Sequence, residues 1–263
     1  MKVEVLVATM SENEEKLISK MNLKTNAIIC KQCDSYGYKK IIDDKKEVRI
    51  YSFNEKGVGK NRNNALLRME ADIALLADDD IRYCEDYEQK ILKAFEDNVD
   101  ADIIIFNLKE KNGERFEITQ KHQVRWYNFM RYGAARIAFK TDSIRKKNIW
   151  FSLLFGGGTI YGSGEDTVFL SDCLKNELKI IAVPTYIGEI LEDRPSTWFV
   201  GYGEKYYYDK GALFEKISHK YSIIIIIQFL LRRYFKHKSD IPFHSALKSS
   251  LKGKKDYSLK NKL

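Results

Sequence analysis

Two groups of carboxylates have the type and spacing to do chemistry. One is Asp78-Asp79-Asp80, directly after the apolar run Ile73-Ala74-Leu75-Leu76. Such a run ending in acids reads as a buried strand whose carboxyl end opens into a polar crevice. Adjacent carboxylates raise one another's pKa, so a cation is their natural partner, although the same triplet alone also reads as a solvated strand-to-loop corner. The other group is Glu165-Asp166, preceded by Gly156-Gly157-Gly158 and Gly162-Ser163-Gly164. At a helix start this pair either caps the helix and favours its dipole or supplies a general base for an attacking hydroxyl.

A third feature is Gly57-Val58-Gly59-Lys60-Asn61-Arg62-Asn63-Asn64. A dinucleotide fingerprint would need glycine where Arg62 stands, and a phosphate-binding Walker loop would need Ser or Thr where Asn61 follows Lys60. Both fail. What remains is a glycine turn into a helix whose first turn carries an arginine, suited to a diphosphate or to orienting a neighbouring carboxylate, or serving only as a cap. Cys30-Lys31-Gln32-Cys33 has C-x-x-C spacing, but no second pair or nearby histidine completes a zinc site, and Cys30 ends an apolar run rather than opening a helix.

The elements that must position these groups alternate through the first hundred residues. Strands are expected at Val3–Thr9, Ala27–Cys30, Val48–Ser52, Ile73–Leu76 and Ile103–Phe106. Helices are expected from a Ser11/Glu14 capping box to about Met21, over Gly57–Met69 and over Tyr87–Asn98. The alternation implies an α/β fold, a mostly parallel sheet flanked by helices. Asn112-Gly113 is a hairpin signal. Further on, a strand at Ala135–Phe139, a helical turn at Asp142–Lys147, a helix at Asp166–Leu178 and a last strand at Lys179–Val183 are expected. The segment Glu189–Phe214, rich in Tyr, Trp and Gly, suits a substrate-covering segment better than regular core. The division expected is a catalytic domain over 1–214, with halves 1–108 and 109–214, and an apolar helix with a basic tail over 215–263.

Of 45 Lys/Arg and 37 Asp/Glu in 263 residues, ten basic and two acidic residues lie between Arg232 and Leu263, which leaves 35 of each in a neutral body. A basic tail alone gives only salt-sensitive, non-specific nucleic-acid binding, and no nucleic-acid partner is expected. Ile223–Leu231 is apolar except for Gln228. At about 1.5 Å per residue it falls well short of the roughly 30 Å hydrocarbon core. Beside the basic cluster, residues 222–263 suit an anionic membrane surface, with a last core helix and solvated tail as the alternative. The amino terminus enters a strand directly without a signal-peptide pattern, so the expected location is cytoplasmic, peripheral to the inner face of the cell membrane.

In combination these features resemble the GT-A glycosyltransferases of the family 2 type. The resemblance covers about residues 1–185 and rests on Asp34 after the second strand, on Gly57 to Ala65 with Arg62-Asn63, on Asp78-Asp79-Asp80 and on Glu165-Asp166. Gly156–Leu170 and Arg194-Pro195-Ser196-Thr197-Trp198-Phe199 are similar to bacterial polysaccharide-assembly members. The sequence departs from the pattern at Val7-Ala8-Thr9-Met10 and at Gln32-Cys33-Asp34. The resemblance implies an inverting, metal-dependent transfer of a hexose or related sugar from a nucleotide sugar, a UDP-sugar foremost, to a hydroxyl of a lipid-linked glycan in cell-surface polysaccharide synthesis. Thr9, Asp34, Arg62, Asp78 and Asp79 are then donor-binding, and Asp80 with Asp78 holds Mg²⁺ or Mn²⁺. Asp166 is the base, with Glu165 as the substitute. Trp198, Gly157 and Gly158 are acceptor-side, Trp198 stacking on a sugar or else a buried core indole. Rival readings are a nucleotidyltransferase, disfavoured by the acidic stretch after strand one, and a non-catalytic glycan-binding module.

Overall fold

The computed structural model describes residues 1–10, 13–43, 46–110, 116–191, 201–237 and 240–260. Strand β1 (Val3–Thr9) is buried at every position, as a largely apolar strand is when both sheet faces are covered, and its one charged residue, Glu4, accepts from Arg49 Nη2 at 2.8 Å. It leads through α1 (Glu14–Lys20) to β2 (Asn26–Gln32), β3 (Gly37–Asp43), β4 (Lys46–Phe53) and α2 (Val58–Arg68). Then follow β5 (Ile73–Asp78), β6 (Ile81–Tyr83), α3 (Tyr87–Glu96) and β7 (Ile103–Lys109). The second half holds β8 (His122–Gln123), short 3-10 turns at Phe129–Arg131 and Ala134–Arg136, β9 (Ile137–Lys140) and α4 (Thr141–Lys146). It continues with α5 (Glu165–Lys175), β10 (Ile180–Ile190), α6 (Glu204–Ile217), α7 (Ser222–His237) and α8 (Phe243–Lys260).

The strands form one sheet in the order β3-β4-β2-β1-β5-β9-β7-β10-β6, with β8 beside β10. The expected parallel arrangement occupies β4-β2-β1-β5. Beyond it the sheet is mixed, because β9 inserts antiparallel between β5 and β7. Side chains alternate between two cores along each strand: Val5 and Val7 enter one, Leu6 the other. Strand β3 has no buried position and carries Lys39 and Lys40 on the sheet edge, the charge pattern that discourages edge pairing. The first helix is capped not by Ser11, which lies outside the described residues, but by Asn13, whose side chain accepts the Lys16 N–H at 2.9 Å. The hairpin signal at Asn112-Gly113 also lies outside them.

The irregular covering segment expected over Glu189–Phe214 is corrected for its described part. Strand β10 runs on to Ile190, and α6 is a regular helix that buries Tyr207, Ala212, Leu213 and Phe214. Its aromatics are spent on packing: Phe214, Tyr206 and Tyr207 all meet Phe229 of α7. Residues 192–200, Trp198 included, lie outside the described residues. Helices α6 and α8 cross at backbone contact, since a methyl on Gly211 would stand 1.9 Å from the Ser250 carbonyl oxygen, and one on Gly253 1.9 Å from that of Tyr208. Helix α7 buries Ile226 and Leu230 and exposes Ile223, Ile224, Ile227 and Leu231. No described helix is long and apolar enough to cross a membrane.

Candidate active site

Parallel pairing brings the strand ends together. The register sets Ala8 beside Asp78 and Thr9 beside Lys31, so β1, β2 and β5 release their chains along one edge of the sheet. There the three acids diverge. Asp78 accepts from Arg62 Nη2 at 2.7 Å. Asp79 turns inward, is 8% exposed and accepts from Thr9 Oγ1 at 2.6 Å. Asp80 stays half-buried, its carbonyl taking the Leu191 N–H at 2.6 Å. Asp34 sits on the exposed bend after β2.

The start of α2 is held from three sides. Gly57 N–H donates to Gln32 Oε1 at 2.7 Å, and Val58 N–H to the Gly157 carbonyl at 3.0 Å. Asn61 Nδ2 donates to the Cys30 carbonyl at 2.9 Å. Asn63 clasps the Phe151 backbone, donating to its carbonyl at 2.9 Å and accepting its N–H at 2.8 Å. Both asparagines are thus structural clasps, and Arg62 between them is left to reach across the crevice.

Arg62 joins the two acid groups. Its Nη1 donates to Glu165 Oε1 at 2.9 Å while Nη2 holds Asp78, and the guanidinium lies 5.4 Å from the Phe151 ring centroid. The arginine side chain is 6% exposed. Burial works against its charge, but the carboxylates of Asp78 and Glu165 outweigh burial and raise its pKa. Glu165 fits here because residue 156 is glycine: a methyl there would stand 2.8 Å from Glu165 Oε2, at a φ of +108°.

Asp166, beside Glu165 at the head of α5, accepts from the Thr167 N–H at 2.6 Å. Its pKa is pushed up from 3.8 to about 6, first by burial and then by the Glu165 carboxylate, with Arg62 opposing. A carboxylate near that value is ionised at neutral pH yet basic enough to receive a proton. A methyl on Gly133 would lie 3.6 Å from Asp166 Oδ2, so the chain at residue 133 borders the Asp166 carboxylate.

No local pattern signals what supports the loop before α5. Asp209 of α6 accepts the Gly162 N–H at 3.0 Å, Lys205 donates to Asp209 and to the Ile160 carbonyl, and Lys210 Nζ reaches Ser163 Oγ at 3.2 Å. Of the glycines expected on the acceptor side, Gly157 is buried and tied to Val58, while Gly158 is exposed. A separate cleft of about 370 Å³ beside β6 and β10, lined by Arg82, Cys84 and Lys90 among others, contains none of these side chains. All four cysteines are free thiols, and burial pushes Cys30 up to about 12, which leaves it unreactive.

The acids at the strand ends are the oxygen donors a divalent cation would meet here. Among the described residues no three His, Cys, Asp or Glu side chains gather into a metal cluster. Asp78 is engaged by Arg62 and Asp79 by Thr9. Magnesium-type ions commonly use one or two carboxylates and complete their shell with substrate phosphates and water. The carboxylates of Asp78 and Asp80 are of the hard-oxygen type that such an ion takes.

The profile described as Glycosyl transferase family 2 matches residues 12–153. Solved structures of S. aureus TarS share the fold. The chain is 17% identical to TarS 1–349 in complex with UDP-GlcNAc, covering 91% of this chain and 74% of that one at a TM-score of 0.64. The UDP complex of the same fragment gives 18% identity, 89% and 72% coverage and a TM-score of 0.59. Against the longer TarS chain the match covers 89% of this chain but 44% of that one, with 17% identity and a TM-score of 0.59. No curated protein sequence matches the chain.

Proposed function

The chain belongs to glycosyl transferase family 2 and has a GT-A-like α/β fold, and from that premise we propose that it transfers a sugar from a UDP-sugar to a glycan hydroxyl with inversion. One observation carries the reading: Arg62 spans the crevice from Asp78 to Glu165, next to a carboxylate whose pKa lies near 6. That ties a donor-side acid to Glu165, 87 positions later in the chain and directly before the proposed base Asp166, as a transfer between two substrates requires. The TarS complexes with UDP-GlcNAc and UDP support a UDP-linked donor.

In this reading the donor lies along the ends of β1, β2 and β5, with Asp34 toward the base and Thr9 and Asp79 lining the crevice floor. Asp166 receives the proton of the acceptor hydroxyl as its oxygen attacks the anomeric carbon from the face opposite the leaving diphosphate. The Arg62 guanidinium fixes Glu165 and Asp78 in place, and its positive charge opposes the rise that burial and the Glu165 carboxylate impose on Asp166. Asp80, with Asp78 beside it, would hold Mg²⁺ or Mn²⁺, which supplies positive charge for the departing diphosphate. The acceptor is lipid-linked, and the protein works at the inner face of the cell membrane in polysaccharide synthesis. The isoleucine face of α7 and the basic carboxyl-terminal residues support that placement.

The test is a panel of nucleotide sugars, with and without Mn²⁺, followed for release of nucleoside diphosphate. Asp80→Ala is expected to abolish metal-dependent donor binding. Asp166→Ala should bind donor normally and not transfer. A wild type that binds and cleaves no member of the panel defeats the reading.

A further inference from the structure

Beside the base stands a short segment that is firmly anchored and yet displays large apolar side chains. Trp126 is 48% exposed, Tyr127 74% and Met130 42%. Single exposed apolar residues are ordinary, but three within five residues are a patch. Its under-structure is rigid. Asn128 Oδ1 accepts the Arg125 N–H at 2.8 Å, Phe129 is sunk in the core, and the Tyr132 hydroxyl bonds His122 Nε2 at 2.8 Å. Behind it the buried Arg136 guanidinium donates to the Phe106 carbonyl, the Phe116 carbonyl and Asn107 Oδ1 at 2.7, 3.0 and 2.8 Å. A buried arginine with three acceptors is an expensive brace for a loop with nothing to hold.

The patch is also placed. The turn Phe129–Arg131 packs against α5, whose first turn carries the base, and Gly133 two residues on lies against the Asp166 carboxylate. The donor side of the crevice is occupied by the strand ends and Arg62. The ground on the Gly133 side of Asp166 is where the molecule that surrenders a proton to it must stand. A sugar ring offers an apolar C–H face and a rim of hydroxyls, which suits an aromatic surface with polar edges such as the Tyr127 hydroxyl and the Arg125 guanidinium.

We propose that Trp126, Tyr127 and Met130 form the acceptor subsite, a preorganised platform on which the acceptor's sugar ring rests with one hydroxyl directed at Asp166. The subsite rests on the glycosyltransferase reading and adds to it the surface that selects the acceptor. Because the platform is held by the fold, it exists before either substrate binds, and its side chains set which sugar face is accepted without touching the donor.

The probe is a set of methyl β-glycosides of glucose, galactose and N-acetylglucosamine at millimolar concentration. Saturation-transfer NMR would be recorded on the UDP-loaded full chain, with UDP affinity measured by calorimetry on the same samples. Wild type is expected to transfer saturation to at least one glycoside. Trp126→Ala and Tyr127→Ala should weaken that binding about fivefold each, the change expected for one lost aromatic face, and Trp126→Phe should restore most of it. UDP affinity should be the same in all four proteins, which also reports an intact fold. Unchanged glycoside contact in both alanine variants overturns the subsite, as does a wild type that binds UDP but none of the glycosides. A wild type that binds no UDP defeats the parent reading, and the subsite with it.

Discussion

Asp166→Asn should inactivate the enzyme while stabilising the fold, and the second effect is the sharper test. Burial and the neighbouring Glu165 carboxylate raise the Asp166 carboxyl from 3.8 to about 6 in the folded chain. Each pKa unit corresponds to about 1.4 kcal/mol, so ionised Asp166 costs the folded state roughly 3 kcal/mol at most relative to an unperturbed carboxyl. Asp166 is only partly buried in an open crevice, and water screens part of this, so about 1–2 kcal/mol is expected. Asparagine keeps the side-chain oxygen that accepts the Thr167 N–H and removes the charge. Above pH 6 both folded and unfolded wild type are ionised and the full cost is present. As pH falls from 6 to 4 the folded chain takes up a proton before the unfolded chain does, and the cost disappears. The advantage of Asp166→Asn in urea unfolding should therefore be largest near pH 8 and close to zero near pH 4. Acids remote from Asp166 titrate alike in both proteins and cancel in the difference. Equal stability at pH 8, or an advantage that persists at pH 4, refutes the raised pKa; retained transfer in the variant refutes the base.

Three other perturbations test the remaining supports. Arg62→Met leaves Asp78 and Glu165 without their shared cation; Asp78 is 42% exposed, so the loss should sit near the low end for broken buried pairs, about 3 kcal/mol in urea, with the acid limb of the rate profile moved above pH 6. An unchanged urea midpoint would count against the bridge. Gly211→Ala places a methyl against the Ser250 carbonyl oxygen and should cost about 1–3 kcal/mol or more, read as a lowered thermal midpoint; a neutral result means that α6 and α8 do not cross so closely. Burying an isoleucine is worth about 1.5–3 kcal/mol, so Ile224→Lys with Ile227→Lys should lower sedimentation with anionic vesicles at least about tenfold and leave UDP binding unchanged. Undiminished sedimentation would remove α7 as the membrane contact.

What could be read in the sequence was whatever a local pattern records. Val3–Thr9, apolar from Val5 to Ala8, and Ile73–Asp78, apolar up to its closing acid, are runs whose burial and whose polar crevice at their ends follow from local composition, whereas the buried Glu4 within the first depends on Arg49, 45 positions away. Helix α2 announced itself by its glycine turn, and Glu165-Asp166 by its place at a helix head. Elements without such a pattern stayed hidden. Strand β3 has no buried face, β6 is three residues long, and the antiparallel insertion of β9 depends on partners far away in the chain. Aromatic composition misled over Glu204–Ile217, because tyrosines that face a neighbouring helix and tyrosines that face a ligand look alike in one dimension. The ties from Arg62 to Glu165 and from Asp209 to Gly162 link residues 103 and 47 positions apart, and no spacing rule connects them.

The family match ends at residue 153, yet Asp166, the proposed base, lies beyond it and is braced from further on. Asp209 and Lys205 of α6 hold the loop 160–162, and Leu213 of the same helix packs where Gly164 leads into α5. Helix α6 is in turn locked to α8 through Gly211 and Gly253, and α7 packs on both. The boundary expected at 214/215 falls inside α6. The carboxyl-terminal helices are therefore part of what places Asp166, whatever surface α7 also meets. Deleting residues 222–263 would strip α8 from α6 and slacken the loop that leads into α5 and Asp166. Loss of transfer in such a truncation would say nothing about a membrane. Substitutions confined to Ile224 and Ile227, which the fold leaves exposed, separate membrane contact from support of the catalytic loop.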